Sequence, residues 1–315
     1  MKRTFIMLLL VSAAIISSNA QLLFRVSGGG AEKPSYMLGS IHLVSGETLE
    51  RYDAYLEAEK QCEQLYVEYD ITNDQHNKEL QSSGLQLVML PDSLTIFEVL
   101  GAERAQKLTE RMQLTCHVNL ADSAAMQMWH WQPFAFTNML SLMTTNELFS
   151  KVPTLQKLRG KGAPMDATCT IRAKLNGWKV GELDQMARQE ELEKTKEKMA
   201  KSIEEQADSL MTLLNNFEER KQTMLHELEK WDKTVLAWIK GDFEEFTSYM
   251  SAETDEQPLL FNERNKKWLP RIIEAMNEAP TLFVFGAGHL IQPYGLVHLL
   301  REAGYEVEQI KTFKW

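Results

Sequence analysis

The stretch YMLGSIHLV, residues 36–44, places a glycine and then a histidine at the end of an apolar run. The run predicts a buried strand, and LLFRV at 22–26 predicts its hairpin partner, because the intervening SGGGAEKPS is rich in turn-forming residues. The ring nitrogens of a buried histidine need hydrogen-bond partners or ligands. His42 therefore makes the carboxyl end of this strand a candidate functional site.

The chain repeats this arrangement in TLFVFGAGHL at residues 281–290. An apolar strand is again followed by a glycine, Gly286, and then by His289, and a helix at about 293–303 and a final strand are predicted after it. In open α/β sheets, ligands bind at the carboxyl ends of the strands. The two histidines are therefore expected at one edge of one sheet.

A third Gly-x-x-His, formed by Gly295 and His298, has a different context. It falls inside the predicted helix and no predicted strand precedes it, so His298 is interpreted as an ordinary helix-face histidine. Spacing alone is a weak signal. The preceding strand is what distinguishes the other two motifs.

Acidic residues end two further predicted strands. Glu68 closes the strand in EQLYVEYD, which follows a segment of helical spacing at 47–61. Glu182 and Asp184 close WKVGELD, which follows a helix ending near Asn176. These units predict an α/β (α+β-like) fold, with a sheet built from two βα units and the active edge at the C-terminal ends of the strands.

A long helical region interrupts this pattern. Between about 186 and 250, apolar residues recur in alternating steps of four and three, which predicts one or two long amphipathic helices with a break at Gly241 and Asp242. Residues from about 85 to 150 predict a further helical layer. A homotypic coiled coil is one interpretation of the long region; an inserted helical hairpin is favoured, because Lys221 occupies a stripe position. Such an insertion also offers a surface for a protein partner.

The first twenty residues predict export. Lys2 and Arg3 precede an apolar stretch of signal-peptide length that ends in small residues at Ala20. The expected organisation is a signal peptide at 1–20 and one domain at 21–315, periplasmic or secreted, with no transmembrane segment after cleavage. The alternative is a membrane anchor, for which the apolar run is short and interrupted by serines.

Composition limits the function classes. The chain carries 34 Lys and Arg against 44 Asp and Glu, a net charge of −10, so a nucleic-acid partner is not expected. Its 3 cysteines are widely spaced and predict neither a disulfide framework nor a CxxC metal site. A peptide or a small molecule is the expected substrate or ligand.

Two histidines and two or three carboxylates at one edge would support two chemistries. Imidazole and carboxylate are ligands of Zn²⁺, Mn²⁺, Co²⁺ and Fe²⁺, and a metal with an open position activates water. Without a metal, a carboxylate and a histidine can act as general base and acid. A structural arrangement, with histidines satisfied by backbone carbonyls and carboxylates capping helices, stays open at this point.

Five segments together resemble the TraB/GumN family, which is related to the Tiki metalloproteases. They are LGSIH, LYVEYD, MDATCTIRAKLNGWKVGELDQMARQ, ERNKKW and VFGAGHL, in this order over nearly the whole mature chain. The resemblance implies that His42, His289 and Glu68 belong to a metal-binding and catalytic core. It also implies a divalent cation, Mn²⁺, Co²⁺ or Zn²⁺, as cofactor.

Two further elements of the family also have counterparts here. Its Arg-Asn pair falls on Arg264 and Asn265, and the guanidinium is expected to hold a carboxylate or stabilise developing negative charge; a surface ion pair is the alternative. This chain departs from the family's Gly-Leu-Glu-Thr element. When the glutamine that follows this element in the family is matched to Gln189, the family's glutamate position falls on Asp184 and its glycine position on Glu182. Which of these two acids contributes to the site stays open.

The resulting expectation is an exported metal-dependent hydrolase, with peptides as the favoured substrates. The expected metal ligands are His42, His289, Glu68 and Asp184, and catalytic roles are expected for Glu68, Asp184 and Arg264. The alternative is a non-catalytic family member that binds haem, a peptide or another apolar ligand, since 16 methionines and 7 tryptophans could line an apolar groove. A protein-interaction role through the helical insertion is a third interpretation.

Overall fold

The computed structural model describes residues 22–42, 44–73, 88–184, 201–251, 257–291 and 294–310. The expected signal peptide and Gln189 lie outside these ranges. The strands are β1 (Leu22–Gly28), β2 (Ser35–Ser40), β3 (Gln64–Val67), β4 (Lys179–Glu182), β5 (Thr281–Gly286) and β6 (Tyr305–Gln309). The α-helices are α1 (Asp53–Glu59), α2 (Ile96–Cys116), α3 (Pro133–Phe149), α4 (Pro153–Arg159), α5 (Met165–Leu175), α6 (Ile203–Asn215), α7 (Phe217–Lys240), α8 (Phe243–Ser251), α9 (Gln257–Glu278) and α10 (Leu296–Glu302), with 3-10 helices at Gly46–Arg51, Ser123–His130 and Ala287–Leu290.

The strands form one mixed sheet in the order β4-β3-β5-β2-β1-β6. The predicted hairpin of β1 and β2 is confirmed, and β1 also pairs antiparallel with β6. Strands β2, β5, β3 and β4 run parallel, so their carboxyl ends lie at one edge, with Ser40 beside Gly286 and Val67 beside Glu182. The predicted α/β class is confirmed, because helices alternate with these parallel strands along the chain.

The sheet is buried among the helices. Every residue of β2 and β3 is buried, as expected for strands covered on both faces. Helix α7 is tied to the sheet by Trp238, which is fully buried and whose indole N–H donates to the carbonyl of Gly39 at 2.7 Å. A second apolar cluster joins α2, α3 and α6 away from the sheet.

The long helical region is divided more finely than its pattern suggests. Helices α6 and α7 are separated at Asn216, and α7 ends at Lys240. The left-handed conformation of the next residue, Gly241 (φ 65°), marks the predicted break. Helix α6 packs on α2 and α3, and α7 packs on α3, α4 and α8. Within the described ranges, no helix is both long and apolar enough to cross a bilayer.

Candidate active site

The parallel strands deliver four side chains to one edge of the sheet. His42 follows β2, Glu68 follows β3, Asp184 follows β4 and His289 lies in the 3-10 helix after β5. The Nε2 atom of His289 lies 3.7 Å from Oε1 of Glu68, and Nε2 of His42 lies 4.0 Å from the same oxygen. The predicted convergence of the two histidines and Glu68 is therefore present in the structure.

Glu68 is the centre of this cluster. Its side chain is 11% exposed, and Oε1 accepts a hydrogen bond from the backbone N–H of Gly286 at 2.7 Å. Oε2 accepts from Nη2 of Arg264 at 2.6 Å. The two contacts fix the carboxylate so that one oxygen faces both histidines and the other faces the guanidinium.

Arg264, on α9, links Glu68 to the last strand end. Its Nε atom donates to Oδ2 of Asp184 at 2.7 Å, so one guanidinium binds two carboxylates. Burial opposes its charge, but the neighbouring carboxylates outweigh burial and raise the pKa of Arg264. Glu182 has another partner, since its Oε1 accepts from the backbone N–H of Asp70 at 2.9 Å. Asp184 is thus the acid of this pair that contacts the cluster.

His289 is buried, with 1% of its surface exposed. Its Nδ1 lies 2.6 Å from Oδ1 of Asn265, whose Nδ2 donates to the carbonyls of His289 and Tyr294 at 3.3 and 3.0 Å. Because the amide oxygen must accept, Nδ1 carries the proton and the lone pair of Nε2 points towards Glu68. Burial lowers the pKa of His289 to about 3 despite Glu68, so its imidazole is neutral.

His42 has the opposite environment. Its side chain is 61% exposed, and Nδ1 hydrogen-bonds Oδ2 of Asp166 in the first turn of α5. This hydrogen bond is the largest influence on the pKa of His42 and raises it to about 9, while burial acts against it. The other oxygen of Asp166, Oδ1, is buried and has no hydrogen-bond partner among the described residues. Asp166 therefore orients the ring that faces Glu68.

The glycines of the two motifs provide the space for this arrangement. A Cβ atom on Gly39 would lie 2.5 Å from Cδ1 of Leu290 and 3.1 Å from Cα of Ala287. A Cβ atom on Gly286 would lie 3.2 Å from Oε1 of Glu68 and 3.4 Å from Nε2 of His42. Each motif thus uses its glycine to admit side chains or backbone from another segment of the site.

The separations within the cluster are wider than those of an assembled metal site. In the described part of the chain, no group of three or more His, Cys, Asp and Glu side chains is placed to hold a metal ion. The histidine nitrogens stand 3.7 and 4.0 Å from the shared oxygen, which is too far for direct hydrogen bonds. The oxygens of Glu68 are already bound by Gly286 and Arg264.

Three contributors to the site were missed in the sequence or identified only as part of a motif. No local sequence pattern indicates that Asp166 contacts His42, because the two residues are 124 positions apart. The Arg-Asn pair includes Asn265, but no pattern in the sequence indicates its hydrogen bond with His289. The ring of Trp268 stacks on His289 with centroids 4.1 Å apart, and its place one turn after Arg264 was the available signal.

The two histidines predict opposite pH dependences of stability. The folded-state pKa of His42 is about 9, above the ordinary 6.5, so its stabilising contribution is complete below pH 6.5 and is lost as pH rises through 9. The pKa of His289 is about 3, so stability instead falls as pH drops from 6.5 towards 3. Urea unfolding across both windows measures these effects. The decline above pH 6.5 should be weaker in His42→Gln; an unchanged decline would contradict the assignment.

The family comparison covers almost the entire described chain. The model of the TraB/PrgY/gumN family matches residues 22–309, from the first residue of β1 to the last of β6. No curated protein and no solved structure shows a significant match. The matched span includes both Gly-x-x-His motifs, Glu68 and Arg264. The chain therefore belongs to the TraB/PrgY/gumN family.

Proposed function

We propose that this protein is an exported, divalent-metal-dependent hydrolase that cleaves peptides. The observation that carries the proposal is the approach of two imidazole Nε2 atoms, from His42 and His289, to the same oxygen of Glu68. Export is supported by the basic, apolar and small-residue pattern of residues 1–20. Membership of the family agrees with the sequence motifs from which this function was expected.

The donor atoms suit a divalent cation. Metal-bound histidines ordinarily have their second ring nitrogen held by a carboxylate or carbonyl oxygen, and here Asp166 and Asn265 hold the two Nδ1 atoms. Two ligands at about 2.1 Å from one tetrahedrally coordinated ion lie about 3.4 Å apart, so the separations of 3.7 and 4.0 Å would have to shorten by about 0.3 and 0.6 Å. His42 would release a proton on binding the ion, because its pKa of about 9 leaves the imidazole protonated at neutral pH.

The proposal gives each side chain a role. A divalent cation, Mn²⁺, Co²⁺ or Zn²⁺, would lower the pKa of a bound water and polarise the peptide carbonyl. His42, His289 and Oε1 of Glu68 are the donors, and Arg264 stands beside Glu68 as a cation that can stabilise negative charge developing on the carbonyl oxygen. Asp184, a fourth metal ligand in the sequence prediction, is given a different role here: it orients Arg264 through its hydrogen bond to Nε.

The test measures metal content by mass spectrometry on protein purified without chelators. The wild type should carry near-stoichiometric metal, and the His42→Ala/His289→Ala double variant should carry little, because two of three donors are lost. His298→Ala is the matched control: this histidine lies on α10 and its Nε2 is 3.3 Å from Glu302, one turn away. The control should retain its metal.

Peptide hydrolysis then tests the reaction. A mixed peptide library incubated with Mn²⁺-, Co²⁺- or Zn²⁺-loaded protein should yield new peptide termini, and the double variant should yield none. Equal metal content in the wild type and the double variant would contradict the metal site. Metal in the wild type without cleavage of any peptide would contradict the hydrolase and favour ligand binding without turnover.

A further inference from the structure

A separate cavity opens near the candidate site, between the end of α3 and helix α4. Its walls are largely apolar, and it opens to solvent. The lining residues are Val44, Asn146, Phe149, Leu155, Leu158 and Arg159. Apolar walls with a few polar groups are typical of a ligand-binding pocket.

The cavity is fixed to the segment that carries His42. Val44 follows His42 by two positions, so their Cα atoms are at most about 7 Å apart. The backbone N–H of Ser45 donates to the carbonyl of Leu158 at 2.9 Å, and the N–H of Met165 donates to the carbonyl of Val44 at 2.9 Å. The cavity wall and the candidate site therefore share one hydrogen-bonded segment.

A cation stands in the lining of this cavity. The guanidinium of Arg159 is exposed, donates to Oδ1 of Asn146 at 2.9 Å and lies 5.9 Å from the centre of the Phe149 ring. Among the described residues, Arg159 forms no ion pair with an acid. Glu47 is an acid that lies close to Gly160, the residue after Arg159. Its Oε2 would be 3.0 Å from a Cβ atom added to this glycine.

The segment around Arg159 also differs in charge from the rest of the molecule. Lys157 and Lys161 flank it, and no acid occurs from 151 to 164, although the whole chain has a net charge of −10. A guanidinium with free donors beside an apolar cavity matches a ligand that carries a carboxylate next to an apolar side chain.

We propose that this cavity is a substrate subsite that binds an apolar side chain, and that Arg159 binds a carboxylate next to that side chain. The term substrate rests on the proposed hydrolase, whereas binding itself does not. The carboxylate is either the C-terminus of a peptide or an acidic side chain adjacent to the apolar residue. Both sources present the same group to Arg159.

The test is a titration of the full protein with small probes, followed by NMR or calorimetry. N-acetyl-leucine should bind saturably, and N-acetyl-leucinamide, which lacks the carboxylate, and N-acetylglycine, which lacks the side chain, should each bind about tenfold more weakly or worse. Arg159→Gln should remove the difference between the acid and the amide. Lys157→Gln, an exposed cation of the same helix, is the matched control and should preserve it.

A further probe separates the two carboxylate sources. N-acetyl-leucyl-aspartamide carries only a side-chain carboxylate, so binding as tight as that of N-acetyl-leucine assigns the subsite to acidic side chains, and weaker binding assigns it to C-termini. Absence of saturable N-acetyl-leucine binding, or equal binding by wild type and Arg159→Gln, would overturn the inference. Metal content measured on the same samples reports separately on the hydrolase proposal.

Discussion

The Arg264→Met variant should lose about 3–5 kcal/mol of its free energy of unfolding at neutral pH, because the substitution removes the cation shared by two largely buried carboxylates. Glu68 and Asp184, 11% and 10% exposed, both depend on this guanidinium. Methionine keeps the apolar stem of the side chain and its helix propensity, so the loss reports on the charge. Urea unfolding monitored by circular dichroism measures the change.

The control for this variant lies on the same helix. Lys267 is exposed, and Lys267→Met should change stability by no more than about 0.5 kcal/mol. A similar small change in Arg264→Met would show that the two carboxylates do not need the guanidinium. It would also contradict the role of Arg264 as the link between Glu68 and Asp184.

The Trp268→Ala variant should lose about 3–5 kcal/mol, since a fully buried indole is replaced by a methyl group and a cavity is left. The same substitution removes the ring that stacks on His289 at 4.1 Å and lies beneath the guanidinium of Arg264 at 4.8 Å. The measurement is urea unfolding, with NMR of the His289 ring to detect its release.

Two companions make this result interpretable. Trp268→Phe retains an aromatic ring against His289 and should lose less stability than Trp268→Ala. Trp178, which is half-buried just before β4, is the control for removing a tryptophan. Trp178→Ala should lower the free energy of unfolding by less than Trp268→Ala, because folding buries less apolar surface of Trp178. Equal losses for Trp268→Ala and Trp178→Ala would contradict the role assigned to Trp268.

The strand framework was predictable because its signals are local. The apolar runs before Gly39 and Gly286 define β2 and β5, and the turn-rich 27–35 segment defines the β1–β2 hairpin. The edge shared by the strand ends then followed from a general property of parallel sheets, which is why His42, Glu68 and His289 were expected together.

The contacts that orient the site were not predictable in the same way. Asp166 reaches His42 because the start of α5 is hydrogen-bonded to the segment after β2, through the N–H of Met165 and the carbonyl of Val44, and no local pattern states which helix takes that position. The division at Asn216 was also missed, because an apolar stripe with steps of three and four continues through it. The 47–61 segment, expected as one helix, is a 3-10 helix followed by α1, divided at Tyr52. The metal ion and export stay predictions.

The candidate site joins segments that are far apart in the sequence, and this has a consequence for biosynthesis. Glu68 and Gly286 are separated by 218 positions, and Glu68 and Arg264 by 196, so the site consists of contacts between the first and last parts of the chain. Long-range pairing of this kind slows folding, because the entropy of closing long loops must be paid first. A nascent or truncated chain that lacks β5 can contain His42 and Glu68 but not the second histidine. The site therefore cannot assemble until the chain has been synthesised as far as His289.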